Sequence, residues 1–269
     1  MAKTIFITGA STGLGHATAL LFAERGWRVI ATMRHPEHGS DLAGAERVTV
    51  LPLDVTDAAE IEATARRALA LSPVDVLFNN AGYGLAGPLE GTSDEQIRRE
   101  IDTNLLGAIR TTQAFLPHFR ERRAGVVITT TSIGGLVAFP FSSVYQATKW
   151  ALEGWSESMA FELAPFGVRF KTVAPGVIKT DFFNRSMITT QHAAYKEQFT
   201  RALSGFTAPE NFERGSSPEQ IAEVVFDAAT DDKDQLRYVA GADARATYIQ
   251  RLNIGSEEFH RAVERRFLG

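Results

Sequence analysis

The chain has 269 residues, 44% hydrophobic and 22% charged, and a net charge of −4. That length can bury a substantial core, and the charge lacks the basic excess that marks nucleic-acid binding. The absence of cysteine excludes disulfides, a thiol nucleophile and thiolate metal sites, and the six histidines show no metal-ligand spacing, so no metal is expected.

Residues 3–8 (KTIFIT) read as a first strand, which runs into the glycine-rich stretch GASTGLG. Helical spacing follows over 16–26. Residues 28–33 and 47–55 read as the second and third strands, and 57–71 as a helix capped by Asp57. A fourth strand, 74–82, ends in an Asn/Gly turn. Ser93 and Gln96 form a capping box that opens a helical region reaching about 122, with Gly107 as a soft point. A fifth strand covers 125–132. A helix covers 143–163 and is stopped by Pro165 and Gly167. A sixth strand covers 168–176. Ser217, Pro218 and Gln220 open a further helix, and 236–240 reads as a seventh strand.

Strands alternate with helices throughout, and the strands are nearly continuous in apolar residues, as when both faces are covered. This predicts an α/β, Rossmann-type, doubly wound and mostly parallel seven-stranded sheet with helices on both faces, forming a single domain over 1–269. The interval at about 177–216 is longer than ordinary connections and is expected to act as a substrate lid. Residues from about 241 to 269 form a C-terminal extension without a usable motif. No apolar run approaches the ~20 residues of a membrane span. The first strand begins almost at residue 1, which leaves no room for a signal peptide, so a cytoplasmic protein is expected.

The loop TGASTGLG has the spacing of a dinucleotide site between a first strand and a first helix. Gly9 permits the sharp turn, Gly13 the approach to a pyrophosphate, and Gly15 close packing of helix on strand. The helix N-terminus would offer free amides and a positive dipole end to phosphates. At the end of the second strand, where an NAD site normally carries an acid, Met33 and Arg34 stand instead. A guanidinium suits a 2′-phosphate, which makes NADP(H) the expected cofactor in preference to NAD(H).

Tyr145 and Lys149 are four apart in a helical segment and share a face. A phenol has a pKa of about 10, and moving it toward neutrality takes about 3–4 kcal/mol. A neighbouring ammonium favours the phenolate, so Lys149 is the partner Tyr145 needs if it is an acid/base.

These motifs together resemble the short-chain dehydrogenase/reductase family, in its single-domain branch of about 250 residues. TGASTGLG is similar to its TGxxxGxG loop, and NNAG (79–82) to its fourth-strand motif. Asn104, Ser132, Tyr145 and Lys149 are similar to its catalytic tetrad. Pro175, Gly176 and Thr180 resemble its nicotinamide loop. The resemblance implies that Tyr145 gives a proton to a carbonyl oxygen in reduction, or takes one from an alcohol in oxidation. Ser132 would bond that oxygen. Lys149 would lower the Tyr145 pKa and bind the nicotinamide ribose. Asn104 would hold a water on a proton path. Ser11, Thr12 and Leu14 of the glycine loop, and Asn80, Ala81 and Gly82, would line the cofactor. Asp54 and the Val55 backbone would meet the adenine. Thr180 and the Val177–Ile178 backbone would bind the carboxamide.

The Phe-rich stretches at 136–141 and 181–187 suggest an apolar pocket built from Phe139, Phe141, Phe182 and Phe183, and so a lipophilic ketone or secondary alcohol as substrate; the same rings would equally serve to close the core. The family resemblance also implies a homodimer or homotetramer assembled through the helices at about 93–122 and 143–163, with Trp150 and Trp155 as anchors or as core residues. Two alternatives share the scaffold. One is a catalytically silent NADP-binding regulator. The other is a sugar-nucleotide epimerase or dehydratase, which resembles a longer branch with TGxxGxxG.

Overall fold

The computed structural model is described over residues 2–180 and 182–269, without the side chains of His38, Ser40, Phe183 and Asn184. β1 (Thr4–Ile7) leads into α1 (Gly13–Glu24), followed by β2 (Arg28–Met33) and β3 (Val48–Pro52). α2 (Ala58–Leu71) is capped by Asp57, whose carboxylate accepts from the amides of Ala59 and Glu60. β4 (Val76–Asn79) is followed by the short β5 (Gly84–Ala86).

α3 (Asp94–Ile101) opens on the Ser93–Gln96 capping box, with both reciprocal bonds formed. A single π turn, Asp102–Leu106, joins it to α4 (Gly107–Arg122). The expected soft point at Gly107 thus takes a definite form, an extra-wide turn immediately before the glycine. β6 (Gly125–Thr130), α5 (Ser143–Leu163), β7 (Val168–Pro175), β8 (Met187–Thr189), α6 (Lys196–Phe206), α7 (Pro218–Thr230) and β9 (Arg237–Ala240) follow. The chain ends in α8 (Ala242–Ile254) and α9 (Ser256–Phe267).

Among the described residues, seven strands form one sheet in the order β3-β2-β1-β4-β6-β7-β9, and every pair is parallel. The pleat divides the strand residues between two cores. Ile5 and Ile7 pack with Phe22 of α1 and with Ile221 and Val225 of α7. Phe6 between them packs on the other face with Phe115 and Phe119 of α4 and Met159 of α5. Each such buried ring or branched chain contributes about 1.5–3 kcal/mol. Strand order reverses between β1 and β4, which leaves a crevice beyond their carboxyl ends.

Sequence periodicity misses several elements. β5 and β8 pair in parallel as a second, two-stranded sheet, which fastens the segment after residue 177 to the loop after β4. Strands this short carry no periodic signal. The interval 177–216 contains helices, α6 among them, rather than irregular chain. Trp155 packs edge-on against Phe170 at 5.4 Å and joins the core, whereas Trp150 and Phe161 on the same helix are exposed.

β7 carries a buried cation, Lys171, bonded to Asp231 (2.8 Å) and to the Tyr238 hydroxyl (3.0 Å). Burial would raise the Asp231 pKa. The bonds from Lys171 and Tyr238 outweigh it and hold the carboxyl down at about 2. Lys171→Met is expected to destabilise the fold by about 3 kcal/mol, because the carboxylate keeps its desolvation and loses its counter-charge. The folded pKa of Asp231 lies below its unfolded value. Its stabilisation is therefore present above about pH 4 and lost as pH falls toward 2. Urea titrations at pH 7 and pH 3 should show a smaller acid loss in the variant.

Candidate active site

A continuous cavity of ≈ 1800 Å³ opens over the carboxyl ends of the central strands. At one end the glycine loop is pressed against the turn after β4. Gly9 has φ +68, and a side chain there would meet the Ala81 Cα at 2.7 Å. A side chain at Gly15 would strike the Gly9 carbonyl and the Asn80 amide. Asn80 ties the two segments together, donating to the carbonyls of Thr8 and Gly9 at 3.1 Å while the Thr130 hydroxyl donates to its Oδ1.

α1 begins at Thr12, which makes no side-chain capping bond, and its first turn has no acid. Its leading amides and positive dipole end therefore open into the cavity, whose wall includes Ser11, Thr12, Gly13 and Leu14. That chemistry fits the pyrophosphate of a dinucleotide.

Beyond β2, Met33 is buried and Arg34 is exposed on the cavity rim beside Asp54 and Val55. Burial raises the Asp54 pKa, but bonds from the Thr56 amide and hydroxyl and the charges of Arg34 and Arg99 bring the carboxyl below its ordinary value.

At the centre, the fold brings Asn104, Ser132, Tyr145 and Lys149 together. The π turn carries Asn104, which is 1% exposed. Its Oδ1 accepts from the Tyr83 amide (3.0 Å), and its Nδ2 donates to the Tyr83 carbonyl (2.8 Å) and to Glu100 Oε1 (2.9 Å). Ser132 follows β6, and its oxygen accepts from the Gly134 amide at 3.0 Å while the hydroxyl contacts the Tyr145 phenol. Lys149 lies one turn along α5 and is 6% exposed. Its Nζ donates to the Thr130 carbonyl (2.9 Å) and stands 5.8 Å from the Tyr145 ring centre.

The electrostatics differ from the expectation that Lys149 lowers the Tyr145 pKa. Burial pushes the phenol up to about 12; the Ser132 bond opposes this and the Glu100 charge adds to it. Burial also drives Lys149 down to about 8, against the charges of Glu100 and Glu153. Desolvation is the largest effect on both groups at this depth.

Pro175, Gly176 and Thr180 line the cavity next to the pair. The Val177 amide, expected to face a carboxamide, instead donates to Asp243 Oδ2 at 2.8 Å, and the Val177 carbonyl accepts from Ser216. Asp243 lies in α8, in the stretch that offered no motif. Its role is visible only when α8 is folded against the loop.

The far end is aromatic. Phe139 meets Phe206 and Phe267 edge-on, Phe206 stacks on Phe267 at 4.5 Å, and Phe141 meets Phe199. Phe182 lines the wall, and the Phe183 side chain lies outside the described residues. Phe267, from the last turn of α9, closes this end together with Arg266. Phe212 is exposed and takes no part in the wall. The rings of Phe139, Phe141, Phe182, Phe199, Phe206 and Phe267 line the cavity and belong to neither of the two cores that flank the sheet.

The sequence model described as short chain dehydrogenase matches residues 3–190. The chain belongs to the short-chain dehydrogenase family. This dehydrogenase is 36% identical over 261 residues to the human 17-beta-hydroxysteroid dehydrogenase type 1, covering 88% of its own length and 77% of the relative. A crystal structure of a short-chain dehydrogenase from Streptomyces avermitilis superposes with a TM-score of 0.85 at 35% identity, covering 94% of each chain. ElxO, solved with NADP bound, superposes with a TM-score of 0.76 at 26% identity, covering 93% of this chain and all of the other. The protein is thus an oxidoreductase with the seven-stranded fold of its family. Among the described residues, no helix is long and apolar enough to cross a membrane, and no cluster of metal ligands occurs.

Proposed function

We propose that the protein is an NADP(H)-dependent oxidoreductase that interconverts a lipophilic ketone and its secondary alcohol, with Tyr145 as acid/base. The observation that carries this reading is the single cavity. It runs from Arg34, past the Ser132–Tyr145 contact, to the aromatic wall at Phe139, Phe206 and Phe267.

The nicotinamide, when bound, supplies or accepts the hydride at carbon. In reduction, the Ser132 hydroxyl donates to the carbonyl oxygen and orients it. The Tyr145 O–H bond breaks, its proton passes to that oxygen, and the phenolate remains beside the Lys149 cation. In oxidation, the Tyr145 phenolate takes the alcohol proton. Lys149, held by the Thr130 carbonyl, lines the same cavity as the phenol and would hold a nicotinamide ribose there. Asn104 anchors the loop at Tyr83 behind them. The apolar far wall excludes water and suits a hydrocarbon skeleton. The similarity to the human hydroxysteroid dehydrogenase supports a lipophilic substrate of that kind.

The NADP preference rests on Arg34 in place of an acid, and the NADP-bound neighbour supports it. Arg34→Ala is expected to raise the KM for NADPH by about 10–100-fold, the worth of charge-assisted bonds to a phosphate, and to leave that for NADH nearly unchanged. Steady-state kinetics with both cofactors on a ketone panel check this. An equal loss for both cofactors would overturn the assignment. The exposed Trp150 and Phe161 on α5 support assembly as a homodimer or homotetramer through that helix.

A further inference from the structure

Glu100 is fully buried, on the inner face of α3, one turn before Asn104. It plays no part in the chemistry derived above. A carboxyl in such a place needs a reason, because an unpaired buried charge is costly. One oxygen, Oε1, accepts from Asn104 Nδ2 at 2.9 Å. The other, Oε2, forms no well-aligned bond among the described residues, and neither does the Tyr83 hydroxyl facing it. Asn104 and Lys149 meet around Gly82: a side chain built there would lie 3.0 Å from Asn104 Oδ1 and 3.9 Å from Lys149 Nζ. The carboxyl is bonded to the amide, and the amide oxygen and the ammonium share the space beside Gly82.

We propose that Glu100 is a positioning residue for the proposed Tyr145–Lys149 pair: its buried carboxylate is the internal counter-charge that keeps Lys149 cationic. The proposal rests on the reading of those two residues as the acid/base pair.

The groups around Glu100 come from three directions. Tyr83 faces it from the loop before β5. Lys149 and Tyr145 face it from α5, where the Thr148 hydroxyl also approaches Asn104 at 3.5 Å. Arg99, on its own helix, acts on Tyr83 and points toward that ring. Glu153, on α5, is the second carboxylate acting on Lys149, but it is already bonded to Arg237 at 2.8 Å and to Thr131. Lys149 alone supplies the charge that opposes burial at Glu100. Burial pushes the Glu100 carboxyl up to about 7, against the pull of Lys149 and Tyr83. Lys149, driven down to about 8 by burial, is in turn supported by Glu100 ahead of Glu153. In a low-dielectric site each ion stabilises the other: neutralising Glu100 favours loss of the Lys149 proton, and neutralising Lys149 favours proton uptake by Glu100.

A merely structural Glu100 would need only a bond acceptor for Asn104, which a glutamine carbonyl also supplies. The test is therefore E100Q. The protein is labelled with ¹³C at lysine Cε, and the Lys149 resonance, assigned by its loss in K149R, is titrated by NMR. E100Q is expected to lower the Lys149 midpoint by about one pH unit, the size of effect a nearby opposite charge produces. E100D, which keeps the charge, is expected to restore most of it. A Lys149 midpoint that is the same in E100Q and wild type would overturn the proposal. So would an equal shift in E100Q and E100D, since that would report distortion rather than charge. The titration needs neither cofactor nor substrate. Failure of the dehydrogenase reading would instead appear as unchanged ketone turnover in Tyr145→Phe.

Discussion

Tyr145→Phe is expected to lower ketone reduction by about 10³-fold while leaving NADPH binding within about twofold. General acid–base groups contribute about 10²–10⁴. The hydroxyl is the only atom removed, and the ring keeps its place beside Ser132. Cofactor fluorescence should separate binding from turnover. The pH dependence of the wild type sharpens the test. Burial holds the phenol at about 12. The protonated form, which serves reduction, thus dominates across the neutral range, and reduction should fall only as Lys149 loses its proton near pH 8. Alcohol oxidation needs the phenolate and should climb steadily into the alkaline range, since only a small fraction ionises at pH 7. Both limbs vanish in the variant if Tyr145 is the acid/base.

Lys149→Met should reduce turnover by about 10²-fold or more, yet leave a more stable protein. Lys149 is buried and its pKa is driven down to about 8. Below pH 8 the folded and unfolded chains both carry the proton, and the folded state bears the penalty of a buried ammonium, less what the Glu100 and Glu153 charges return. Between about 8 and 10.5 the folded state releases the proton first, so wild-type stability rises with pH in that window. Methionine fills the same volume without the charge. Two losses offset part of the benefit: the bond to the Thr130 carbonyl, and the counter-charge of Glu100, whose carboxyl then takes up a proton rather than staying buried as an unpaired ion. A net gain of about 1 kcal/mol at neutral pH is expected, and it should disappear above about pH 10. Thermal melts of both proteins at pH 7 and pH 10 decide it. A destabilised variant at pH 7 would mean that Lys149 is held for structure rather than for function.

The largest difference between sequence and structure concerns what burial does. Tyr145 and Lys149 are readable in the chain because one helical turn separates them. The sign of their pKa values is not, because desolvation depends on how α3, α5 and β6 enclose them. Glu100 is a similar case. It sits among the charged residues of α3, and its burial is visible only once that helix is folded into the protein.

The alternation of strand and helix, the glycine loop with its helix N-terminus, and the Tyr145–Lys149 pair are written in residue type and local spacing, and the apolar runs declare which strands are covered on both faces. Ser132 is legible only through the family resemblance. Only the tertiary structure decided that Asp243 grips the Val177 amide, that Phe267 stacks on Phe206, and that β5 pairs with β8. These contacts join residues tens to hundreds of positions apart. No periodicity records them, because loop closure and packing select them only once the sheet has formed.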